Sequence, residues 1–139
     1  MFELSNRSKR RRDGVDSRLI AIDDRAIQLT TVDYGHPADS GKRTAERQYE
    51  IFSAGKSMCD GNIRKSYHQS GKALDFYAYV DGAASWKHAH LAMVACAYLQ
   101  AASELGYKLS YGGLWLKDEF EIIDGIHYGW DMGHVQLED

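Results

Sequence analysis

His68 and Asp75 fall in one short stretch, Ser66-Tyr67-His68-Gln69-Ser70-Gly71-Lys72-Ala73-Leu74-Asp75. A second histidine stands near the C-terminus in Asp131-Met132-Gly133-His134. Two imidazoles and one carboxylate are enough to hold a single zinc ion and to leave a fourth position for water. Zinc lowers the pKa of that water and polarises a carbonyl, so the chemistry this set points to is hydrolysis. Asp131 lies just before His134, and Gly133 lets the chain bend between them. A carboxylate there can face the water rather than the metal, take its proton during attack and later pass it to a leaving amine. The oxyanion that develops needs a positive side chain, and Arg43 is the best placed candidate. The expected set is therefore His68, Asp75 and His134 for metal, with Asp131 and Arg43 for catalysis.

The elements around these residues must bring them together. An extended run from His68 to Asp75 spans roughly 23 Å, far more than a shared ion with bonds of about 2 Å permits. The chain must turn back, and Ser70-Gly71 is the place, because glycine tolerates the backbone angles of a sharp turn. Ala73 to Val80 then reads as a strand with Leu74, Phe76, Ala78 and Val80 on one side and Asp75 and Tyr77 on the other. His134 to Leu137 reads as a last short strand that can carry His134 to the same edge, with Gln136 on the same face.

Elsewhere, Val15, Leu19, Ile22, Ala26 and Leu29 recur at helical spacing, which predicts a helix over 16–30 capped by Asp16. Thr30 to Tyr34 is β-prone, and Gly35 to Gly41, with the lone proline Pro37, is a loop. Thr44 caps a helix to about Ala54 that buries Ala45, Tyr49 and Phe52, and Gly55 ends it. Lys56 to Ser70 is a polar loop. Gly55-Lys56-Ser57 is no phosphate loop, because Glu50 stands where a glycine is required. Asp81-Gly82 signals a turn. Trp86 to Leu105 is the strongest helix, with Leu91, Val94, Ala95, Tyr98, Leu99, Ala102 and Leu105 on one face, Ser85 as cap and Gly106 as stop. Lys108 to Tyr111 is a short strand, and Leu116 to Trp130 reads as a loop. Helices and strands mix without βαβ alternation, so the expected class is α+β, with a small, mainly antiparallel sheet packed against helices in a single domain over 1–139.

Composition narrows the functions. Hydrophobic residues make up 44% and charged residues 27%, the balance of a globular chain able to bury a core without staples. A net charge of −3 argues against nucleic-acid binding. The lack of a long apolar run argues against membrane insertion, and Lys9 to Arg12 without an apolar stretch behind them do not make a signal peptide. Residues 1–14 read as a polar, basic, solvated arm. Two cysteines make no disulfide framework; Cys96 is assigned to the core, and Cys59 lies in a loop without a nearby base.

Ser66-x-His68-x-x-Gly71-x-Ala73-x-Asp75 followed by Asp131-x-x-His134 resembles the zinc D-Ala-D-Ala carboxypeptidases of the VanY type and, most of all, their tailed-phage relatives, the L-alanyl-D-glutamate endolysins. Gly41-Lys42-Arg43-Thr44, Tyr77-Ala78-Tyr79-Val80-Asp81-Gly82 and Tyr111-Gly112-Gly113-x-Trp115 correspond in order. The resemblance implies a Hedgehog/DD-peptidase-like α+β fold, one zinc ion on His68, Asp75 and His134, Asp131 as general base and Arg43 as binder of substrate or transition state. It implies peptidoglycan stem peptide as substrate, cut between L-Ala and D-Glu. It further implies a monomeric enzyme made in the host bacterial cytoplasm that acts in the periplasm after holin-type release. Two positions depart from the pattern: Leu114 stands where many relatives have Asp, and the base is Asp131 where many have Glu.

The alternatives are a D-Ala-D-Ala carboxypeptidase and a non-catalytic, zinc-bearing wall-binding module. Asp131 and Arg43 speak against the second, since binding alone needs neither. His36, His88, His90 and His127 read as ordinary surface or core histidines. Asp118, Glu119, Glu121 and Asp124 form an acidic loop; calcium there is the weaker expectation, because no EF-hand spacing is present.

Overall fold

The computed structural model describes residues 1–115 and 131–139, together with the backbone of two short strands between them. Among the described residues there are four α-helices: α1 (Asn6–Arg11), α2 (Ser17–Leu29), α3 (Ala45–Ser53) and α4 (His88–Leu105). The strands are β1 (Asp33–Gly35), β2 (Ala73–Asp75), β3 (Tyr77–Val80), β4 (Ala83–Ser85), β5 (Leu109–Tyr111), β6 (Ile122–Ile123), β7 (Ile126–His127) and β8 (His134–Leu137). Among the described residues all pairings are antiparallel. One sheet runs β1-β3-β4, a second runs β2-β8-β5, and β6 pairs with β7. The class is α+β, as expected, but the sheet is divided.

The division falls inside the run expected as one strand. Ala73 to Val80 breaks at Phe76, whose N–H donates to the Gly133 carbonyl at 2.8 Å. On one side Asp75 pairs with His134; on the other Tyr77 pairs with Gly35. The alternation survives the break, and Leu74, Phe76 and Ala78 are all fully buried. Asp81-Gly82 closes a tight hairpin between β3 and β4, with φ of 51° and 78° at the two turn residues. That hairpin takes up Ser85, which pairs with Ala78 and meets His90 Nδ1 at 2.7 Å through its hydroxyl. Ser85 therefore does not cap α4; Lys87 stands at the N-cap and makes no side-chain cap bond.

The core lies between α2, α4 and the two sheets. Asp16 caps α2 as expected, and its carboxylate accepts from the Arg18 amide at 2.9 Å. Leu19, Ile22 and Ala26 face Leu91, Val94, Ala95, Tyr98 and Ala102 across the helix pair. Gly106 ends α4 at φ 79°. Cys96 is a correction: it points away from this seam and is exposed, while Cys59 is half-buried, and both are free thiols.

The N-terminal segment is also not the solvated arm that its charges suggested. Ser5 caps α1, and Leu4, Ser8 and Arg12 are buried. Arg12 reaches Asp23 at 2.8 Å, and Asp23 anchors a closed polar network within the core. Its Oδ2 accepts from Arg12 and from His36 Nε2, while its Oδ1 accepts from the hydroxyls of Tyr34 and Tyr98. His36 Nδ1 donates in turn to the Asp75 carbonyl at 2.7 Å. The charges of Lys9–Arg12 said "solvent", but α2 carries a buried counter-charge that local patterning does not reveal.

In α3, Thr44 caps as expected, yet Ala45, Tyr49 and Phe52 are exposed and Gln48 is the buried residue. The inner face of α3 covers Arg43 and the loop after the helix, which demand hydrogen bonds, rather than the apolar core. Leu116 to Trp130, expected as a loop, contains the β6–β7 pairing. The carboxylates of Asp118, Glu119, Glu121 and Asp124, and hence the calcium expectation, lie outside the described residues, as does the His127 side chain. Among the described residues no helix is long and apolar enough to cross a membrane.

Candidate metal centre and active-site cleft

Ser66 begins the site. Its hydroxyl accepts from the His68 amide at 3.2 Å while Gln69 Oε1 accepts from the Ser66 amide at 2.9 Å, a reciprocal cap on the 3-10 turn Tyr67–Ser70. Gly71, at φ 73°, reverses the chain, as the spacing required. β2 follows, and its pairing with β8 sets Asp75 directly opposite His134.

The three expected ligands converge. His68 Nε2 lies 3.3 Å and His134 Nδ1 2.9 Å from Asp75 Oδ1, and one donor atom from each residue falls within 4.8 Å of the others. Bonds of about 2 Å to a tetrahedral ion place donors roughly 3.3 Å apart, so the set fits one metal ion. The other ring nitrogens are already committed. His68 Nδ1 donates to the Gly41 carbonyl at 2.9 Å, and His134 Nε2 donates to Gln136 Oε1 at 2.9 Å. Glu138 Oε1 accepts from the Gln136 amide and so fixes which way it faces. With each outer nitrogen donating, the inner nitrogen of each imidazole is the one that would exchange its proton for a metal ion and turn a lone pair toward the centre.

Arg43 meets the far side of Asp75, its Nη2 donating to Oδ2 at 3.1 Å. Its Nε donates to the Asp39 carbonyl and its Nη1 to Gln48 Oε1. Gln48 donates onward to Ser57 Oγ and the Cys59 carbonyl, tying the loop after α3 to the centre. Sequence reading missed Gln48, because it took Ala45, Tyr49 and Phe52 as the buried stripe of α3. Only the identity of what α3 covers makes this polar residue the buried one. Burial pushes the Asp75 carboxyl up, but the charges and bonds of His68 and His134 outweigh it and hold it well below the usual carboxylate range.

Asp131 approaches from the other strand end, its Oδ2 3.7 Å from His134 Nδ1. The approach depends on Gly112, where an added Cβ would lie 2.2 Å from the Asp131 carbonyl oxygen. Burial raises the Asp131 carboxyl, with His134 opposing and the Asp75 charge reinforcing. Trp115 packs on His134 with ring centroids 5.1 Å apart, and its indole N–H donates to Ser110 Oγ at 2.8 Å.

All five expected residues line one cleft of about 610 Å³. A second hollow of about 290 Å³ shares Asp75 and Asp131 with it and is otherwise lined by Trp86 and Met132 among others. A half-buried carboxylate with raised affinity for protons, beside a preformed metal-ligand set at the floor of a cleft, is equipped for metal-assisted hydrolysis.

A family profile described as "Phage L-alanyl-D-glutamate peptidase" matches residues 1–138. The chain belongs to this family. Among its relatives, the L-alanyl-D-glutamate peptidase of Escherichia phage T5 is 30% identical over 138 residues, which cover 98% of each chain. The crystal structure of the Serratia marcescens L-Ala D-Glu endopeptidase ChiX superposes with a TM-score of 0.77 at 28% identity, covering 98% of this chain and 90% of that one. The α+β fold of this phage peptidase family member is thus shared with a bacterial endopeptidase.

Proposed function

We propose that the protein is a zinc-dependent phage endolysin that hydrolyses the L-Ala–D-Glu bond of the peptidoglycan stem peptide. The observation that carries this is the convergence of His68, Asp75 and His134 beside Asp131 in a chain that belongs to the phage L-alanyl-D-glutamate peptidase family throughout its length. Bound by His68 Nε2, Asp75 Oδ1 and His134 Nδ1, zinc would supply Lewis acidity toward the scissile carbonyl and toward the attacking water. Asp131 accepts the proton of that water and returns it to the amine of D-Glu as the bond breaks, a role suited to a carboxyl that burial has made more basic. Arg43 holds Asp75 in a one-oxygen ligand pose, and its place in the cleft wall lets the same guanidinium face the carbonyl oxygen as charge develops. Trp115 and Gln136 keep the His134 ring from turning.

In this reading the enzyme works as a monomer, is made in the host cytoplasm and meets its substrate in the periplasm after holin-type release. The placement rests on the kinship with phage lytic enzymes.

The test is mass spectrometry of Gram-negative peptidoglycan digested with the purified protein, with a chelated control. Peptides beginning at D-Glu should appear, vanish with chelator and return with zinc. Loss of terminal D-Ala alone would replace the reading by a carboxypeptidase. Asp131→Asn should lower kcat by about 10²- to 10⁴-fold while metal content stays unchanged; full activity in that variant would remove the assigned base.

A further inference from the structure

The two hollows that meet at Asp75 and Asp131 differ in charge. The larger one is walled on one side by the loop from residue 56 to 66, which brings Lys56, Arg64 and Lys65 to the cleft. Among the described residues none of the three forms an ion pair, although the whole chain carries a net charge of −3. The loop's one carboxylate, Asp60, lies on its other side, in a separate depression with Glu46 and Glu50. The loop thus sorts its charges, cations toward the cleft and the anion away from it.

This wall is built rather than loose. Asp60 Oδ1 accepts from the amides of Asn62 and Arg64 at 3.0 and 2.9 Å, and the Gly61 carbonyl accepts from Gln69 Nε2 at 2.9 Å. Gln48 holds the Cys59 carbonyl and, through Arg43, links the loop to Asp75. The loop backbone that carries the cations is therefore tied to the metal ligands, while the cationic side chains themselves are exposed. On the far side, the smaller hollow has Trp86, Leu91 and Met132 in its lining and neither Lys nor Arg.

A stem peptide is asymmetric in the same way about the bond proposed above. On the amino side, L-Ala is joined as an amide to the lactyl group of a muramic sugar and brings no carboxylate. On the carboxyl side, D-Glu continues through its side-chain carboxyl, which leaves its α-carboxylate free. The diamino acid and D-Ala that follow add further carboxylates. Complementary charge selects orientation and partner more than it adds raw affinity.

We propose that Lys56, Arg64 and Lys65 form a carboxylate-binding wall for the leaving half of the stem peptide, with the Trp86 hollow taking the uncharged acyl half. Together they set the direction in which the substrate crosses the metal centre. The inference rests on the L-Ala–D-Glu reading and adds the residues that choose this substrate.

The experiment compares two soluble substrates, a muramoyl stem tetrapeptide and the same compound with its carboxyl groups amidated. Both are offered to the zinc-loaded wild type and to the Lys56→Met/Arg64→Met/Lys65→Met variant. The wild type should favour the free acid about tenfold or more in kcat/KM, carried by KM, since each exposed charge pair contributes modestly. The triple variant should treat the two substrates alike while keeping wild-type zinc content and melting temperature. A wild type that does not discriminate, or a variant that keeps the preference, overturns the wall. A zinc-loaded wild type that releases no D-Glu-terminated product from either substrate removes the proposed activity itself, and the wall with it.

Discussion

Asp23 and Asp75 are two carboxylates that face imidazoles and a guanidinium, and they do opposite work. Asp23 is fully buried and receives four donors, from Arg12, His36, Tyr34 and Tyr98, one for each lone pair. Asp75 gives Oδ2 to Arg43 and turns Oδ1 to His68 and His134 at the cleft, where its side chain is 24% exposed. The first centre is saturated and sealed, so nothing can bind to it. The second leaves a vertex open between three donor atoms. Residue type does not separate scaffold from chemistry here; saturation does. The two centres are coupled, because His36 spans from Asp23 to the Asp75 backbone.

The comparison can be broken first by isosteric change. Asp75→Asn should abolish hydrolysis and strip the purified protein of metal, with its circular dichroism nearly unchanged and its melting temperature lowered only toward that of the chelated wild type. Asp23→Asn should do the reverse. It leaves Arg12 and His36 buried without their counter-charge, at a cost of about 3–5 kcal/mol, and the molecules that remain folded should still bind metal. Equal melting losses in both variants would erase the distinction.

Acid sharpens it. Burial pushes the Asp23 carboxyl up, but the charge of His36, the bonds from His36 and Tyr98 and the charge of Arg12 bring it down to about 2. A carboxyl lowered in the folded state stabilises fully above its unfolded value, near 3.9, and loses that contribution as pH falls through the folded value. About 2 kcal/mol should therefore drain away between roughly pH 4 and pH 2. Melting temperatures of wild type and Asp23→Asn should converge across that window; curves that stay parallel would show that Asp23 is not lowered.

The smallest effect belongs to the bracing of the open centre. Gln48→Leu takes one acceptor from Arg43 and frees the loop after α3, and zinc affinity in a chelator competition should fall about tenfold. An unchanged affinity would mean that Arg43 orients Asp75 without help.

Short-range spacing carried much of this protein in the sequence. The turn at Gly71 follows from the distance two ligands must close, the seam of α4 from a 3.6-residue period, and the hairpin at Asp81-Gly82 from residues that accept positive φ. Each is a property of a few neighbouring residues, and so is the placing of Asp131, the proposed base, beside the candidate ligand His134. What the sequence left hidden depends on which surfaces meet. A run that alternates like one strand serves two sheets, because Gly133 takes the amide of Phe76. Cys96 is apolar in type but lies off the helix seam, and Gln48 is buried because α3 covers hydrogen-bonding groups. Four basic residues before α2 contain one, Arg12, that belongs inside with Asp23. A side chain's type and local period say what it can do; only its partners across the fold decide whether its charge is sealed, as at Asp23, or left open, as at Asp75.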